Sequence, residues 1–224
     1  MRLFKRSLVW FSLSAPAWGA ATNPTAPTTF TVSRPAVTGA TVTVASGDNL
    51  QTKYNSASCG DVLVVEAEAT FTGNFIFTKQ CTDGNWLQIV SSSLAGIPVP
   101  VHGSAAEANS NAPATAPNTA LYPLIRSTNG APPIVLTDSG VPAKYHYFAG
   151  LEVSSTVSQT YLIGVSDLAE TTASQLADRI YFDRVYAHGV AASGSVQMVR
   201  AFLLGGSYVA VVNSYVSDIY SNSD

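Results

Sequence analysis

The chain has 224 residues, 11% of them charged and 46% hydrophobic, and a formal net charge of −3. An ordinary globular domain carries about 25% charged residues, so this surface is poor in charge. No basic run follows Arg6, which excludes the electrostatic footprint of a phosphate-backbone binder and argues against nucleic acid as a partner.

Residues 1–20 read as a signal peptide. Arg2, Lys5 and Arg6 precede a short apolar core, Ser7 to Ala15, and the small residues between Ala17 and Ala21 suit cleavage. That core is too short to span a bilayer, and no later segment reaches the roughly 18 apolar residues a spanning helix needs. A buried N-terminal strand is the competing reading. The mature protein is expected to be a monomer without a membrane span, secreted, periplasmic or held at the cell surface. Residues 21–40 are rich in Thr, Pro and Ala and read as an extended linker; the folded domain runs from 41 to 224.

A first strand is expected at Thr41 to Ala45. In the following SGDNLQTKYNSASCGD, Asp48 suits an N-cap, Leu50, Tyr54 and Ala57 share one helical face, and Gly60 suits a stop. The pattern predicts one short amphipathic helix from Asn49 to about Ala57. Every later segment reads as strand: VLVVEA (62–67), FIFT (75–78), WLQIVSS (86–92), LYPLIRS (121–127), PIVLT (133–137), YHYFAGLEV (145–153), TYLIGV (160–165), RIYFDRVYA (179–187), VQMVRAFLL (196–204) and YVAVVNSYVSDI (208–219). Residues 96–120 are a polar, proline-rich stretch expected to stay out of the core.

Three of these strands match when aligned on Gly150, Arg184 and Asn213, spaced 34 and 29 residues apart. One further strand separates successive copies. A unit of about 30 residues with several short strands suggests a solenoid of stacked parallel coils. Phe148, Leu151, Phe182, Val185, Val211 and Tyr215 would then point inward. A β-sandwich is the competing all-β architecture, but the later strand pairs lack the Asn-Gly or Asp-Gly turns its hairpins favour.

GDNLQTKYNSASCGDVLVVEAEATFTGNF (47–75) resembles the opening of right-handed parallel β-helix proteins of the pectin-lyase-like superfamily, in which a short helix caps the solenoid. YHYFAGLEV, RIYFDRVYAHG and VVNSYVSDI resemble successive coils of the same proteins. The expected fold is therefore all-β, a right-handed parallel β-helix with a short N-terminal capping helix. Solenoids of that family run on for several more coils, so the chain is expected to be an N-terminal portion; a naturally short form is the alternative. Cys59 and Cys81 lie 22 residues apart, about one minimal coil, and an exported chain meets an oxidising compartment. A Cys59–Cys81 disulfide is expected; two free buried thiols are the alternative.

The resemblance implies a polysaccharide or cell-surface glycan as partner, acidic in kind, held in a groove along one parallel sheet. Calcium is implied by the resemblance alone: the residues carry no metal-ligand spacing, phosphate loop, nucleophile elbow or nucleotide motif. Asp183, Arg184 and His188, in DRVYAHG, form the best candidate catalytic cluster. Strand alternation puts Arg184 and Tyr186 on one side and Asp183 and Val185 on the other, so Asp183 and Arg184 are not expected to converge. The alignment sets Ala149 and Val212 beside Asp183, with no second carboxylate; a surface ion pair is the plainer reading. Asn213 is expected to stack on polar residues of a further coil. His188-Gly189 and Asn222-Ser223-Asp224 are similar to the His-Gly and Asn-x-Asp of polygalacturonases, but in the wrong order, which marks coincidence. Tyr186 and Tyr215 are candidates for stacking on sugar, against a plainer role in packing between coils. Two functions stay open: a polysaccharide lyase or glycoside hydrolase whose catalytic coils lie beyond Asp224, this chain alone being inactive, or a non-catalytic glycan-binding or attachment protein.

Overall fold

The computed structural model describes residues 32–99, 116–190 and 196–221. The leader expected at 1–20, residues 21–31 of the linker, most of the 96–120 stretch and Asn222-Ser223-Asp224 lie outside the described residues. Strand β1 (Thr41–Val44) leads into helix α1 (Leu50–Ser56). Asn49, not Asp48, caps the helix: its side chain accepts the Thr52 N–H at 2.9 Å. Asp48 is turned back to accept the Ala45 N–H at 2.8 Å and pairs with Lys53 at 3.2 Å, so its carboxylate is spent closing the turn before the helix. Leu50 and Tyr54 form the buried face.

The chain then visits three sheets in rotation. The first circuit is β2 (Val62–Val65), β3 (Thr70–Thr72) and β4 (Phe75–Ile76); the second is β5 (Leu87–Ser91), β6 (Leu124–Ser127) and β7 (Ile134–Val135). A short antiparallel pair, β8 (Thr137–Asp138) and β9 (Val141–Pro142), interrupts the rotation. The third circuit is β10 (Lys144–Ala149), β11 (Glu152–Ser155) and β12 (Ile163–Gly164); the fourth is β13 (Ala177–Asp183), β14 (Tyr186–His188) and β15 (Phe202–Leu203); β16 (Gly206–Val212) and β17 (Tyr215–Ser217) begin a fifth. Among the described residues the orders are β1-β2-β5-β10-β13-β16, β3-β6-β11-β14-β17 and β4-β7-β12-β15, every pair parallel.

Stacking equivalent residues one rung apart makes the core. The first sheet turns Val42, Leu63, Ile89, Phe148, Phe182 and Val211 inward in one row; the second turns Phe71, Ile125, Val153 and Ala187, the third Phe75, Ile134, Ile163 and Phe202. Phe148 and Phe182 stack with centroids 5.2 Å apart. Each such buried ring contributes roughly 1.5–3 kcal/mol of transfer free energy. Cys59 and Cys81 are joined in a disulfide with a Cα–Cα distance of 5.4 Å, tying the end of α1 to the segment before β5.

The strand register follows the 34- and 29-residue offsets: Phe148 pairs with Phe182 and Phe182 with Val211. The strands themselves differ from expectation. YHYFAGLEV, RIYFDRVYA and YVAVVNSYVSDI each break at the aligned residue, because Gly150, Arg184 and Asn213 have φ of 64°, 52° and 51°. A left-handed residue turns the chain from the first sheet to the second and resets the alternation of side chains. That reset corrects one assignment: Tyr215 does not join the inward row of Phe148 but packs with Tyr186 in a second apolar cluster. VQMVRAFLL contributes only Phe202–Leu203 as strand.

The start of the 96–120 stretch also departs from expectation. A 3₁₀ turn, Leu94–Gly96, and Ile97 fold over the outer face of the first sheet, and Leu94 and Ile97 are buried there with Tyr122, Tyr147 and Tyr186. Their apolar side chains outweigh the polarity of the residues that follow.

Candidate functional site

The corner between the first and second sheets gathers three of the polar side chains that sequence singled out, Asp183, Arg184 and Asn213, in a new arrangement. Asp183 ends β13 on the outer face, and its side chain is only 7% exposed. Its Oδ2 accepts from Tyr147 Oη at 2.7 Å and from Arg184 Nε and Nη2 at 3.0 and 2.7 Å. Asn213 Nδ2 donates to Oδ1 at 2.8 Å, so Asn213 turns toward this carboxylate rather than toward a further coil. Asp183 and Arg184 therefore converge: adjacent side chains on a flat strand diverge, but the left-handed Arg184 folds its guanidinium back over the preceding carboxylate. Arg184 Nη1 also donates to the carbonyls of Leu94 and Ile97 at 3.1 and 3.3 Å. Burial and the Asp183 carboxylate both push the Tyr147 phenol upward in pKa.

His188 is not part of this hub. Its partner is Glu152, one strand away. Across the second sheet Thr70, Leu124, Glu152, Tyr186 and Tyr215 form one outward row. His188 lies two positions beyond Tyr186 on the same face, and its Nε2 is 2.8 Å from Glu152 Oε1. Its Nδ1 is 2.7 Å from the Gly189 carbonyl. Both ring nitrogens face acceptors, so the doubly protonated ring satisfies both. Burial works against that charge, but the Glu152 and Gly189 hydrogen bonds outweigh it and the pKa is raised above the ordinary value. Tyr186 stacks on the imidazole with centroids 4.4 Å apart, and Tyr215 meets Tyr186 edge-on at 5.5 Å.

A cleft of about 350 Å³ opens beside the pair, lined by Glu68, Thr70, Thr119, Tyr122, Leu124 and Glu152. The Tyr122 phenol has a raised pKa, chiefly from burial, with Asp183 and Glu152 adding to the shift and Arg184 opposing it. Tyr122 follows a second described turn: Asn118 caps a 3₁₀ turn, Thr119–Leu121, and Ser91 Oγ donates to the Leu121 carbonyl at 2.6 Å.

Sequence reasoning missed Glu152, Tyr122 and Tyr147. The signal for Glu152 was present. The 34-residue offset sets it opposite Tyr186, two positions from His188. Tyr122 and Tyr147 carried none, since their roles depend on Leu94–Ile97 and Tyr122 packing over the outer face of the first sheet. Of the expected catalytic trio, Asp183 and Arg184 share one hub and His188 joins Glu152.

Calcium, implied only by resemblance, does not fit the described residues. Among the described residues no group of three or more His, Cys, Asp or Glu converges on a point, and the Asp183 oxygens are held by Tyr147, Arg184 and Asn213. No described helix is long and apolar enough to cross a membrane.

No family model matches the chain, and no curated protein matches it. Among solved structures it is similar to an alginate lyase from Paenibacillus sp. str. FPU-7, at 14% identity and a TM-score of 0.40. The match covers 79% of this chain and 66% of that one, just under two thirds of its length. The functional reading therefore rests on this chain's own residues.

Proposed function

We propose that the chain is an exported, right-handed parallel β-helix of the pectin-lyase-like kind that holds an acidic polysaccharide across the outer face of its second sheet. The observation that carries this is the Glu152–His188 pair at 2.8 Å, set beside the Tyr122 cleft and backed by the stacked Tyr186. A protonated His188 offsets the Glu152 charge at the edge of the cleft, so that a uronate meets a neutral pair rather than a bare carboxylate, while Tyr122 offers a phenol and Thr70 and Thr119 offer hydroxyls for hydrogen bonds along a sugar chain. The rotation of strands through three parallel sheets supports the β-helix reading, since a sandwich is built from antiparallel hairpins. The disulfide is compatible with export.

Binding is favoured over turnover. Asp183 and Arg184 are engaged with each other and with neighbouring groups. Glu152–His188 is the histidine–carboxylate ion pair on this face among the described residues. Affinity electrophoresis through gels containing polymannuronate, polyguluronate, polygalacturonate or a neutral glucan tests the reading, beside an ultraviolet assay for unsaturated uronate ends. Retardation by a polyuronate, reduced in His188→Ala and Tyr122→Phe and absent with the glucan, is the expected result. Equal mobility in all gels would overturn it, and unsaturated product from the wild type, lost in His188→Ala, would make the site catalytic.

A further inference from the structure

The geometry points to Arg184 as a positioning residue. It clamps the Leu94–Ile97 strap onto the corner of the first sheet and thereby holds Tyr122 at the mouth of the cleft. The hold on Tyr122 bears on binding only through the glycan site proposed above; the clamp itself does not depend on it.

Three independent features meet here. Arg184 spends two side-chain hydrogen bonds on carbonyls of the strap while Asp183 fixes the other edge of its guanidinium. Hydrogen bonds from a charged donor are stronger than those between neutral groups, so this contact is firm for so short a segment. Gly150, one rung earlier in the corner column, leaves the space the strap occupies: a Cβ there would lie 2.6 Å from Ile97 Cδ1 and 3.0 Å from Leu94 Cδ1. The strap is thus seated on a glycine and locked by the arginine of the next rung. Its apolar side chains then pack against Tyr122 and Tyr147, while Ser91 Oγ holds the Leu121 carbonyl from below. The two arms, Leu94–Ile97 and Thr119–Tyr122, lean on each other, so releasing one loosens the other.

Charge and clamp can be separated by Arg184→Lys. An ammonium keeps a cation beside Asp183 but cannot span the carboxylate and two carbonyls at once. Hydrogen exchange is followed by mass spectrometry in the full chain. In Arg184→Lys, exchange over 91–97 and 118–122 is expected to be at least about tenfold faster, with β10 and β13 unchanged. Gly150→Ala is expected to loosen the same two segments by displacing Ile97. Polyuronate affinity should fall in both variants, and Tyr122→Phe should lower it without changing exchange. Unchanged exchange in both arms of both variants would overturn the clamp. Faster exchange with no effect on a wild type that does bind polyuronate would overturn the link to Tyr122. A wild type that binds no polyuronate would defeat the glycan reading and leave the exchange result to judge the clamp alone.

Discussion

Two columns of left-handed residues run along opposite ends of the same three strands. Tyr145, Arg179 and Tyr208 stand near the starts of β10, β13 and β16, with φ of 57°, 54° and 54°; Gly150, Arg184 and Asn213 follow their ends. The residue spacing is the same, 34 and 29, and each column places an arginine on the middle rung. At the first, Arg179 is sandwiched between the Tyr145 and Tyr208 rings, 5.0 Å from each centroid, and pairs with Asp178 in the open. At the second, Arg184 is buried with Asp183 under the strap. One backbone device therefore yields two different outcomes, and desolvation decides between them. An exposed ion pair is screened and weak; a buried one, with every oxygen satisfied, makes its neighbours depend on it.

The largest expected effect is at the buried column. Asp183→Ala leaves the Arg184 guanidinium unpaired in a dry corner and removes the acceptor of Tyr147 and Asn213. The loss should be about 3–5 kcal/mol in urea denaturation. A loss under about 1 kcal/mol would put the two columns on the same footing.

Acid is expected to act next, inside the wall that the exposed column flanks. His146 is fully buried, and its tautomer is set by its partners. Nδ1 faces the Lys144 carbonyl at 3.0 Å, so it carries the proton, and Nε2 accepts from Tyr54 Oη at 3.1 Å. Tyr54 Oη in turn accepts the Lys79 N–H at 2.7 Å. Burial lowers the His146 pKa to about 4, with the nearby Lys79 charge adding to the shift. Protons thus bind the unfolded chain more readily than the folded one. The stabilisation is present above about pH 6.5 and is lost as pH falls toward 4, amounting to up to about 3 kcal/mol. His188 has the opposite sign: its raised pKa contributes stability below about pH 6.5 that is lost as pH rises through the folded value. Denaturation midpoints measured from pH 4 to 9 should show both slopes, the acid one absent in His146→Gln and the alkaline one absent in His188→Gln.

Gly150→Ala should cost about 1–2 kcal/mol for its left-handed backbone, and more where Ile97 must move. Arg179→Ala, by contrast, should leave the thermal midpoint within experimental error, since its guanidinium is solvated and its two stacking partners remain anchored by their strands. A clear fall there would show that the exposed column also carries stability.

Much of this fold is legible in the sequence because apolar residues recur at fixed steps from Gly150, Arg184 and Asn213, and a one-residue slip would turn Phe148 and Phe182 outward. The corners are hidden for a physical reason. Of the three aligned residues glycine announces a positive φ and asparagine does so more weakly, whereas arginine carries no such signal and is held there by Asp183. The Tyr145 column is hidden more deeply, for tyrosine and arginine in a strand-like run signal nothing left-handed. For the site, DRVYAHG draws attention to neighbours in sequence, yet His188 finds its partner 36 residues away on the next rung. Sites on stacked strands are read across rungs.

The most direct measurement is the pH dependence of polyuronate affinity by calorimetry, in the wild type, His188→Gln and Arg179→Ala. The wild type should bind with constant affinity at low pH and lose it as pH rises through the elevated His188 pKa, because the neutral imidazole leaves Glu152 uncompensated beside an anionic sugar. Arg179→Ala should follow the same curve and His188→Gln should bind weakly at every pH. A wild-type affinity independent of pH, or a curve that survives in His188→Gln and disappears in Arg179→Ala, would place the glycan on the exposed column and contradict the Glu152–His188 site.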